Sequence, residues 1–352
     1  MDEIDDSQNP GFPPPSPTKE NWRNQYYAYR SPSGEIHYLL LSDFYGHLVK
    51  TSEDVIGSRF IKKKLQTATI EDKNEAFKEL KPHALALMKD KFGSRVIKSF
   101  FEHGLDLQRK GLAEELFGNV YTLSLDQYGC RVIQKALELV DMDQKIKIVR
   151  ELDNHVNTCL YDDKASHVIR KCVECVPEEH IGVIVSVCVD QIVKLAQHTP
   201  GNYILQSILK YCKNTLTQKR VIDGIVSSLV ILANNGFGNY VVQCAVEHGK
   251  PEDRSKIVEK LAENIVEVSL NRFGSGAIQK CLVFGSHCDR KLILNVILGS
   301  TDRNEPLQTI VKGQSGKFVV RTLLKTCDDE QRELILLRIK IHCLEKYLPQ
   351  ED

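Results

Sequence analysis

Apolar and polar positions along the chain follow the spacing of buried helices. In Cys130-Arg-Val-Ile-Gln-Lys-Ala-Leu, the residues Val132, Ile133, Ala136 and Leu137 show the i, i+1, i+4, i+5 spacing of one buried helical stripe. Polar residues and a glycine precede this stripe, where a connector should begin the helix. Because alternation typical of strands is hard to find, the pattern predicts an all-α fold.

The same stretch recurs eight times along the chain. Each copy has a small residue, a short polar residue, an aromatic or basic residue, two aliphatic residues, and then Gln, Lys or Arg, with small variations. The small residue stands at positions 57, 93, 129, 165, 201, 238, 274 and 316, so the spacing is 36 or 37 residues except for 42 before the last copy. Self-similarity at this period predicts a solenoid, in which repeats stack to bury a continuous core.

The predicted repeats fill most of the chain. Their boundaries lie at about 47–82, 83–118, 119–154, 155–190, 191–227, 228–263, 264–305 and 306–341. Residues 1–34 are rich in proline and lack helical periodicity, which predicts a disordered tail. Residues 35–352 are therefore expected to form one elongated domain with short caps at both ends.

Helical geometry places three variable side chains of each repeat close together. If Val132 and Ile133 are buried, Cys130 and Gln134 lie one turn apart on an exposed face, with Arg131 beside them. We call the two residues one turn apart the edge positions, the residue after the first of them the stacking position, and the three together the triplet. The edge positions are Ser58 and Lys62, Ser94 and Lys98, Cys130 and Gln134, Ser166 and Arg170, Asn202 and Gln206, Asn239 and Gln243, Ser275 and Gln279, and Lys317 and Arg321. The stacking positions hold Arg59, Arg95, Arg131, His167, Tyr203, Tyr240 and Phe318, with Gly276 in the seventh repeat.

Charge is balanced over the chain but not within the triplets. Lys and Arg number 47, as do Asp and Glu, which alone is weak support for a polyanionic partner. The triplets contain several Lys and Arg and no carboxylate, and further lysines follow directly at Lys63, Lys135, Lys171 and Lys280. A basic ladder with interleaved flat side chains is typical of surfaces that bind single-stranded nucleic acid.

Other signals point to an intracellular protein without a cofactor. The eleven cysteines are odd in number and scattered, the first residues are acidic, and no run of about 18 apolar residues could span a membrane. Cys172, Cys175 and His180 have a spacing found at metal sites, but no second pair follows, so a structural role is favoured. No metal, no cofactor and no catalytic group are expected, and hence no enzyme.

The stretches Tyr128-Gly-Cys-Arg-Val-Ile-Gln-Lys-Ala and Phe237-Gly-Asn-Tyr-Val-Val-Gln resemble repeats of the Pumilio (PUF) RNA-binding family. This resemblance covers about 47–341. It implies a right-handed α-solenoid crescent of eight three-helix repeats, whose concave face binds single-stranded RNA, one base per repeat, with the N-terminal repeat at the 3′ end. It further implies a monomer in the cytoplasm, with the nucleus or nucleolus as alternatives, and protein co-regulators on the convex face.

The resemblance also implies which base each edge pair reads. In this family Asn with Gln reads uracil, Cys or Ser with Gln reads adenine, and Ser with Arg can read cytosine. These rules give uracil for repeats 5 and 6, adenine for repeats 3 and 7, and cytosine for repeat 4. Repeats 1, 2 and 8 depart from them, because Lys62, Lys98 and the pair Lys317 and Arg321 are donors only. No second edge position holds Glu, the family's guanine reader.

Three functions stay open at this point. The first is regulation of the translation or stability of messenger RNA, and the second is processing of ribosomal RNA. The third is a protein-binding scaffold derived from an RNA binder, which repeats 1, 2 and 8 would suit. A scaffold has no reason to keep two Asn-Tyr-Gln triplets and no acid among eight triplets, so RNA binding is favoured.

Overall fold

A computed structural model describes residues 28–30, 36–299 and 305–345. These residues contain twenty-four α-helices, three for each predicted repeat. A short first helix opens each repeat: α1 Leu48–Ser52, α4 Ala84–Lys89, α7 Val120–Leu125, α10 Val156–Tyr161, α13 Ile192–Ala196, α16 Leu229–Ala233, α19 Ile265–Leu270 and α22 Glu305–Lys312. The second helix, here named the triplet helix, follows: α2 Val55–Thr67, α5 Gly93–His103, α8 Gly129–Leu139, α11 Ala165–Cys175, α14 Thr199–Tyr211, α17 Gly238–His248, α20 Gly274–Phe284 and α23 Gly316–Thr326. The third helices are α3 Ile70–Leu80, α6 Asp106–Glu114, α9 Met142–Leu152, α12 Gly182–Val189, α15 Thr215–Val226, α18 Pro251–Ala262, α21 His287–Leu298 and α24 Asp329–Glu345. The predicted all-α solenoid of three-helix repeats is confirmed.

Short 3-10 helices join some of these elements. They span Leu41–Phe44, Lys81–His83, Asp153–His155 and Glu178–His180. They let the chain turn within a few residues between helices, as such tight helical turns usually do.

A small β-hairpin precedes the helices and corrects one prediction. Strand β1, Ala28–Arg30, pairs antiparallel with β2, Ile36–Tyr38, with Tyr29 opposite His37. β1 lies inside the segment that we expected to be disordered. Aromatic and β-branched residues on both sides of Ser31-Pro-Ser-Gly favour such pairing. Residues 1–27 of the expected tail lie outside the described residues.

The predicted helical stripe forms the core of the repeats. Val132, Ile133, Ala136 and Leu137 on α8 are all completely buried, as the spacing indicated. Burial of one such aliphatic side chain stabilises the fold by about 1.5–3 kcal/mol. Equivalent residues of the other triplet helices are buried too, so the repeats within each compact unit are held together by an apolar interior.

The chain falls into two compact units. The first unit, Met1–Glu115, contains α1 to α6, and within it the triplet helices α2 and α5 pack together. The second unit, Leu116–Asp352, contains α7 to α24, and its triplet helices α8, α11, α14, α17, α20 and α23 pack each against the next. The expectation of one continuous domain from 35 to 352 stays a prediction.

A glutamate on a third helix anchors the first helix of the same repeat in both units. The Glu79 carboxylate accepts hydrogen bonds from the backbone N–H groups of Gly46, at 2.8 Å, and Leu48, at 2.6 Å. Gly46 has φ +83°, a conformation that side chains disfavour. Glu151 holds Gly118, with φ +76°, in the same way at 2.8 Å. A negative charge at these helix N-termini satisfies backbone donors that the helix leaves unpaired.

Candidate nucleic-acid interface

A recurring Asp or Asn fixes the start of six triplet helices. The residue stands three positions before the small residue, and its Oδ1 accepts hydrogen bonds from the two backbone N–H groups that open the helix. In α8, Asp126 accepts from Tyr128 at 2.8 Å and from Gly129 at 2.7 Å. The six residues are Asp54, Asp90, Asp126, Asp162, Asn235 and Asn271. This acceptor was not predicted, although its recurrence every 36 residues within repeats 1 to 4 and again from repeat 6 to repeat 7 is visible in the sequence.

The small residue allows the first helix to pass close to the triplet helix. A Cβ atom at Gly238 would lie 2.8 Å from the carbonyl oxygen of Leu232, which is closer than real Cβ atoms approach oxygen. The glycine therefore allows α16 and α17 to pack closely. This packing in turn sets the position of the edge residues on α17.

The first edge position is buried, which corrects our expectation of an exposed face. Its side chains are 0–4% exposed in repeats 1 to 7, namely Ser58, Ser94, Cys130, Ser166, Asn202, Asn239 and Ser275. They lie in the first turn of the triplet helix, and five of them bond to the turn before it, as the Cys130 thiol does to the Gln127 carbonyl oxygen at 3.6 Å. A helical wheel of one helix does not show the neighbouring elements that cover this turn. In repeat 8 the residue is Lys317, which is exposed.

The second edge position is more open. Gln134, Gln206, Gln243 and Gln279 are half-buried, as are Lys98 and Arg170, whereas Lys62 and Arg321 are exposed. The glutamines fold back towards the first edge residue one turn earlier. Nε2 of Gln134 donates to the Cys130 carbonyl oxygen at 3.1 Å, and Nε2 of Gln279 donates to that of Ser275 at 3.2 Å.

Repeats 5 and 6 hold the most ordered triplets. Nδ2 of Asn202 donates to the carbonyl oxygens of His198, at 3.2 Å, and Thr199, at 2.6 Å. Its Oδ1 accepts from Nε2 of Gln206 at 3.0 Å. Asn239 and Gln243 repeat the arrangement with a bond of 2.8 Å. Backbone carbonyls thus orient the asparagine, which in turn orients the glutamine.

The stacking positions present flat surfaces beside these pairs. Tyr203, Tyr240 and Phe318 are 49%, 54% and 52% exposed, and Arg59, Arg131 and His167 are exposed as well. Arg95 is half-buried, with its guanidinium 5.3 Å from the centre of the Phe92 ring.

Repeats 7 and 8 differ from this arrangement. A Cβ atom at Gly276 would lie 2.9 Å from Nε2 of Gln243, so the missing side chain leaves room for the amide of repeat 6. In repeat 8 the Arg321 guanidinium lies 5.7 Å from the centre of the Phe318 ring. Edge and stacking residues of repeat 8 therefore contact each other.

Within the second unit the triplets follow one another along a single surface. The packing of α8, α11, α14, α17, α20 and α23 in chain order places their edge positions in a row. The Cys244 thiol contacts the Gln206 carbonyl oxygen at 3.7 Å across α17 and α14. Gln134, Gln206 and Gln243 are half-buried and lie outside the core, which agrees with a common face in this unit. One concave face for all eight triplets stays a prediction.

Glutamates one turn beyond the second edge position offset part of the basic ladder. Glu138 accepts from Lys135 at 2.8 Å and lies 3.1 Å from Lys171 of the next repeat. Lys280 binds Glu247 of the preceding repeat at 2.7 Å. The hydrogen bond from Lys135, together with Lys171, lowers the pKa of Glu138 despite its partial burial. The triplets contain no acid, but the lysines that follow them are paired, so the surface is less basic than the sequence suggested.

The cysteines of the described residues are free thiols. Burial raises the pKa of Cys172 and of Cys175, which keeps both thiols protonated. Among the described residues no group of three or more His, Cys, Asp or Glu is placed to hold a metal ion. No helix in the described part of the chain has both the length and the apolar character to cross a membrane.

Sequence comparison places these repeats in a known family. The model described as Pumilio-family RNA binding repeat matches residues 47–81, 83–117, 119–152, 164–187, 191–226, 228–262, 264–298 and 318–340. The chain belongs to the Pumilio family. It is 52% identical over 309 residues to Pumilio homolog 1 of Arabidopsis thaliana, an alignment that covers 87% of the chain and 32% of that protein.

Solved Pumilio structures have the same fold. The Puf3 RNA binding domain bound to a Cox17 RNA 3′ UTR recognition sequence, site A, superimposes with a TM-score of 0.81 at 31% identity, covering 87% of this chain and 93% of that one. PUF-8 in complex with PBE-RNA gives a TM-score of 0.82 at 30% identity, covering 86% and 89%. The chain spans less than a third of the curated Arabidopsis relatives, with 13% of Pumilio homolog 4 and 32% of Pumilio homolog 1.

Proposed function

We propose that this chain binds single-stranded RNA sequence-selectively through its triplets, one base per repeat. The observation that carries the proposal is the pair of ordered triplets in repeats 5 and 6. Each sets an oriented amide pair beside an exposed tyrosine ring. Stacking on such a ring is worth about 1–3 kcal/mol per base in proteins that bind single strands.

The amide pairs have the donors and acceptors that a uracil requires. Both hydrogens of Asn202 Nδ2 are used by backbone carbonyls, so Oδ1 is left as an acceptor. Gln206 uses one hydrogen of Nε2 for that Oδ1, and its second hydrogen is a donor beside it. Uracil offers an N3–H donor next to a carbonyl oxygen, which complements this arrangement. The geometry therefore supports the uracil assignment that the family resemblance implies.

The readable edge pairs all lie in the second unit. Reading repeats 7 to 3 gives a central preference of 5′-A-U-U-C-A-3′. In the first unit the second edge positions are Lys62 and Lys98, which donate to phosphate or carbonyl oxygens without separating the bases. Looser selection is expected on both sides of the central five bases.

The cellular role proposed is post-transcriptional regulation of messenger RNA in the cytoplasm, by binding and not by catalysis. Support comes from the relative Puf3, whose RNA binding domain was solved with a 3′ UTR recognition sequence. Processing of ribosomal RNA, in the nucleus or nucleolus, is the alternative that uses the same surface.

Selection of bound RNAs from a random pool tests this proposal. We expect enrichment of 5′-A-U-U-C-A-3′ with the wild-type chain. The double variant Gln206→Ala, Gln243→Ala should lose the preference at the two uracils only. If the selected RNAs instead require uracil–guanine–uracil, the assignment of repeat 7 is wrong, and if no RNA is enriched, the proposed function is wrong.

A further inference from the structure

The second edge residue of repeat 4 points the opposite way from its counterparts. In repeats 3, 5, 6 and 7 the glutamine bonds back to the first edge residue, one turn earlier. Arg170 instead bonds forward, with Nε donating to Oε1 of Glu174 at 2.9 Å, one turn later. Among the described residues, Glu174 is the hydrogen-bond acceptor of the Arg170 guanidinium.

The residue that Arg170 should meet is left without a partner. Ser166 is 2% exposed, and its Oγ is buried with no hydrogen bond to the described residues. An unpaired buried hydroxyl is costly, so the site gains when a donor or acceptor reaches it. Since Arg170 stands one turn beyond Ser166 on the same helix face, its guanidinium is an edge group that can turn back towards this hydroxyl.

Glu174 is well placed to keep Arg170 away from Ser166. Its side chain is 17% exposed, and besides Arg170 it binds Lys171 at 2.9 Å. Lys171 also reaches Glu138, so the carboxylate belongs to a cluster that joins α8 and α11. Burial opposes ionisation, but the bonds and charges of Lys171 and Arg170 hold the pKa of Glu174 below its ordinary value.

We propose that Glu174 is a positioning residue that restrains the cytosine reader: it holds Arg170 away from Ser166 in the free protein, so that repeat 4 reads its base only when this ion pair opens. The inference rests on the proposed function of the triplets. The restraint makes repeat 4 less selective for cytosine than its Ser-Arg pair would otherwise be, because part of the free energy of RNA binding is used to open the ion pair.

The test is equilibrium binding of the full 352-residue chain to two RNAs that differ at one base. They carry 5′-AUUCA-3′ or 5′-AUUUA-3′ within the same flanking sequence. Glu174→Gln keeps the size of the side chain but removes its charge. It should raise the affinity for the cytosine RNA by up to about fivefold more than for the uracil RNA, the effect of a partly exposed ion pair. Adding Arg170→Gln should abolish the gain.

Glu247→Gln is the matched control. Glu247 stands at the same helical position in repeat 6, one turn beyond the second edge residue, but binds Lys280 instead of an edge residue. The control should strengthen binding of both RNAs equally, since it only removes a negative charge.

Equal gains on both RNAs with Glu174→Gln would overturn the inference. So would a loss of cytosine preference in this variant, which would mean that Glu174 holds Arg170 in its reading position. A lack of cytosine preference in both the wild type and Glu174→Gln would overturn it while leaving the proposed function intact. Failure of the wild-type chain to bind either RNA would overturn the proposed function itself.

Discussion

At the scale of single residues, the edge pairs differ in how firmly they are oriented. Asn239 is fixed by two backbone carbonyls and in turn orients Gln243. In repeat 7, Ser275 offers no such support, and Gln279 donates to a backbone carbonyl and accepts from the Thr322 hydroxyl at 3.4 Å. The repeat 7 amide therefore depends on contacts from its own backbone and from repeat 8.

Gln279→Glu should change the base preferred by repeat 7 from adenine to guanine. A carboxylate accepts from the ring N–H and the amine of guanine, but it cannot donate to the ring nitrogen of adenine. Thr322 can still donate to the new side chain. An unpaired polar group costs about 1–3 kcal/mol, so the preference should change roughly tenfold or more.

The measurement compares wild type and variant on two RNAs that differ only at this base. Equal losses on both RNAs would show that repeat 7 does not read a base.

At the scale of elements, the Asp or Asn before six of the triplet helices links folding to the site. Asp162 Oδ1 accepts from the N–H groups of Lys164, at 2.9 Å, and Ala165, at 2.8 Å. These groups would otherwise be unpaired at the start of α11. The helix that carries Ser166 and Arg170 thus begins at a defined residue, which sets the position of both side chains.

Asp162→Ala should destabilise the fold by about 0.5–2 kcal/mol, the usual cost of removing a helix-start acceptor. Urea denaturation measures the loss. Asp163→Ala is the control, because Asp163 is the adjacent, exposed aspartate, and its substitution should change stability by less than about 0.5 kcal/mol. Equal losses in both variants would contradict the role given to Asp162.

The sequence predicts elements better than it predicts exposure. The stripe at Val132 and Ile133 was sufficient for helix type, and the repeat period was sufficient for the number and order of the repeats. The three helices of each repeat were expected only from the family resemblance. The burial of Asn202 was missed because the elements that cover it are set by packing between helices, which a single helical wheel does not contain. The bond between Arg170 and Glu174 was missed for another reason: an arginine four residues before a glutamate has several rotamers, and only the fold selects one.

At the scale of the whole molecule, the net charge does not show which Lys and Arg side chains are paired with a glutamate and which are exposed. Several lysines beside the triplets are paired with Glu138, Glu174 or Glu247, whereas the exposed Lys62, Lys317 and Arg321 lie in repeats 1 and 8. Phosphate neutralisation is therefore expected mainly towards the two ends of the repeat series, and base reading in between.

RNA binding should weaken as salt rises. The number of neutralised phosphates that this salt dependence reports should be smaller than the number of Lys and Arg residues beside the triplets. For single strands, the slope of log affinity against log salt is about −0.7 per neutralised phosphate. Glu247→Gln releases Lys280 and should make the slope steeper by up to about 0.7. Titrations over a series of salt concentrations measure both slopes. Affinity that does not change with salt would count against this surface as the binding site.

The burial of the first edge position separates two kinds of evolutionary change. A substitution at Ser275 or Asn239 alters a tightly packed turn, so a new base preference obtained there also risks the fold. A substitution at Gln279 or Gln243 falls on a half-open surface and leaves the interior untouched. A single substitution at the second edge position can therefore change the base that a repeat prefers. Such a change does not require a compensating mutation in the core.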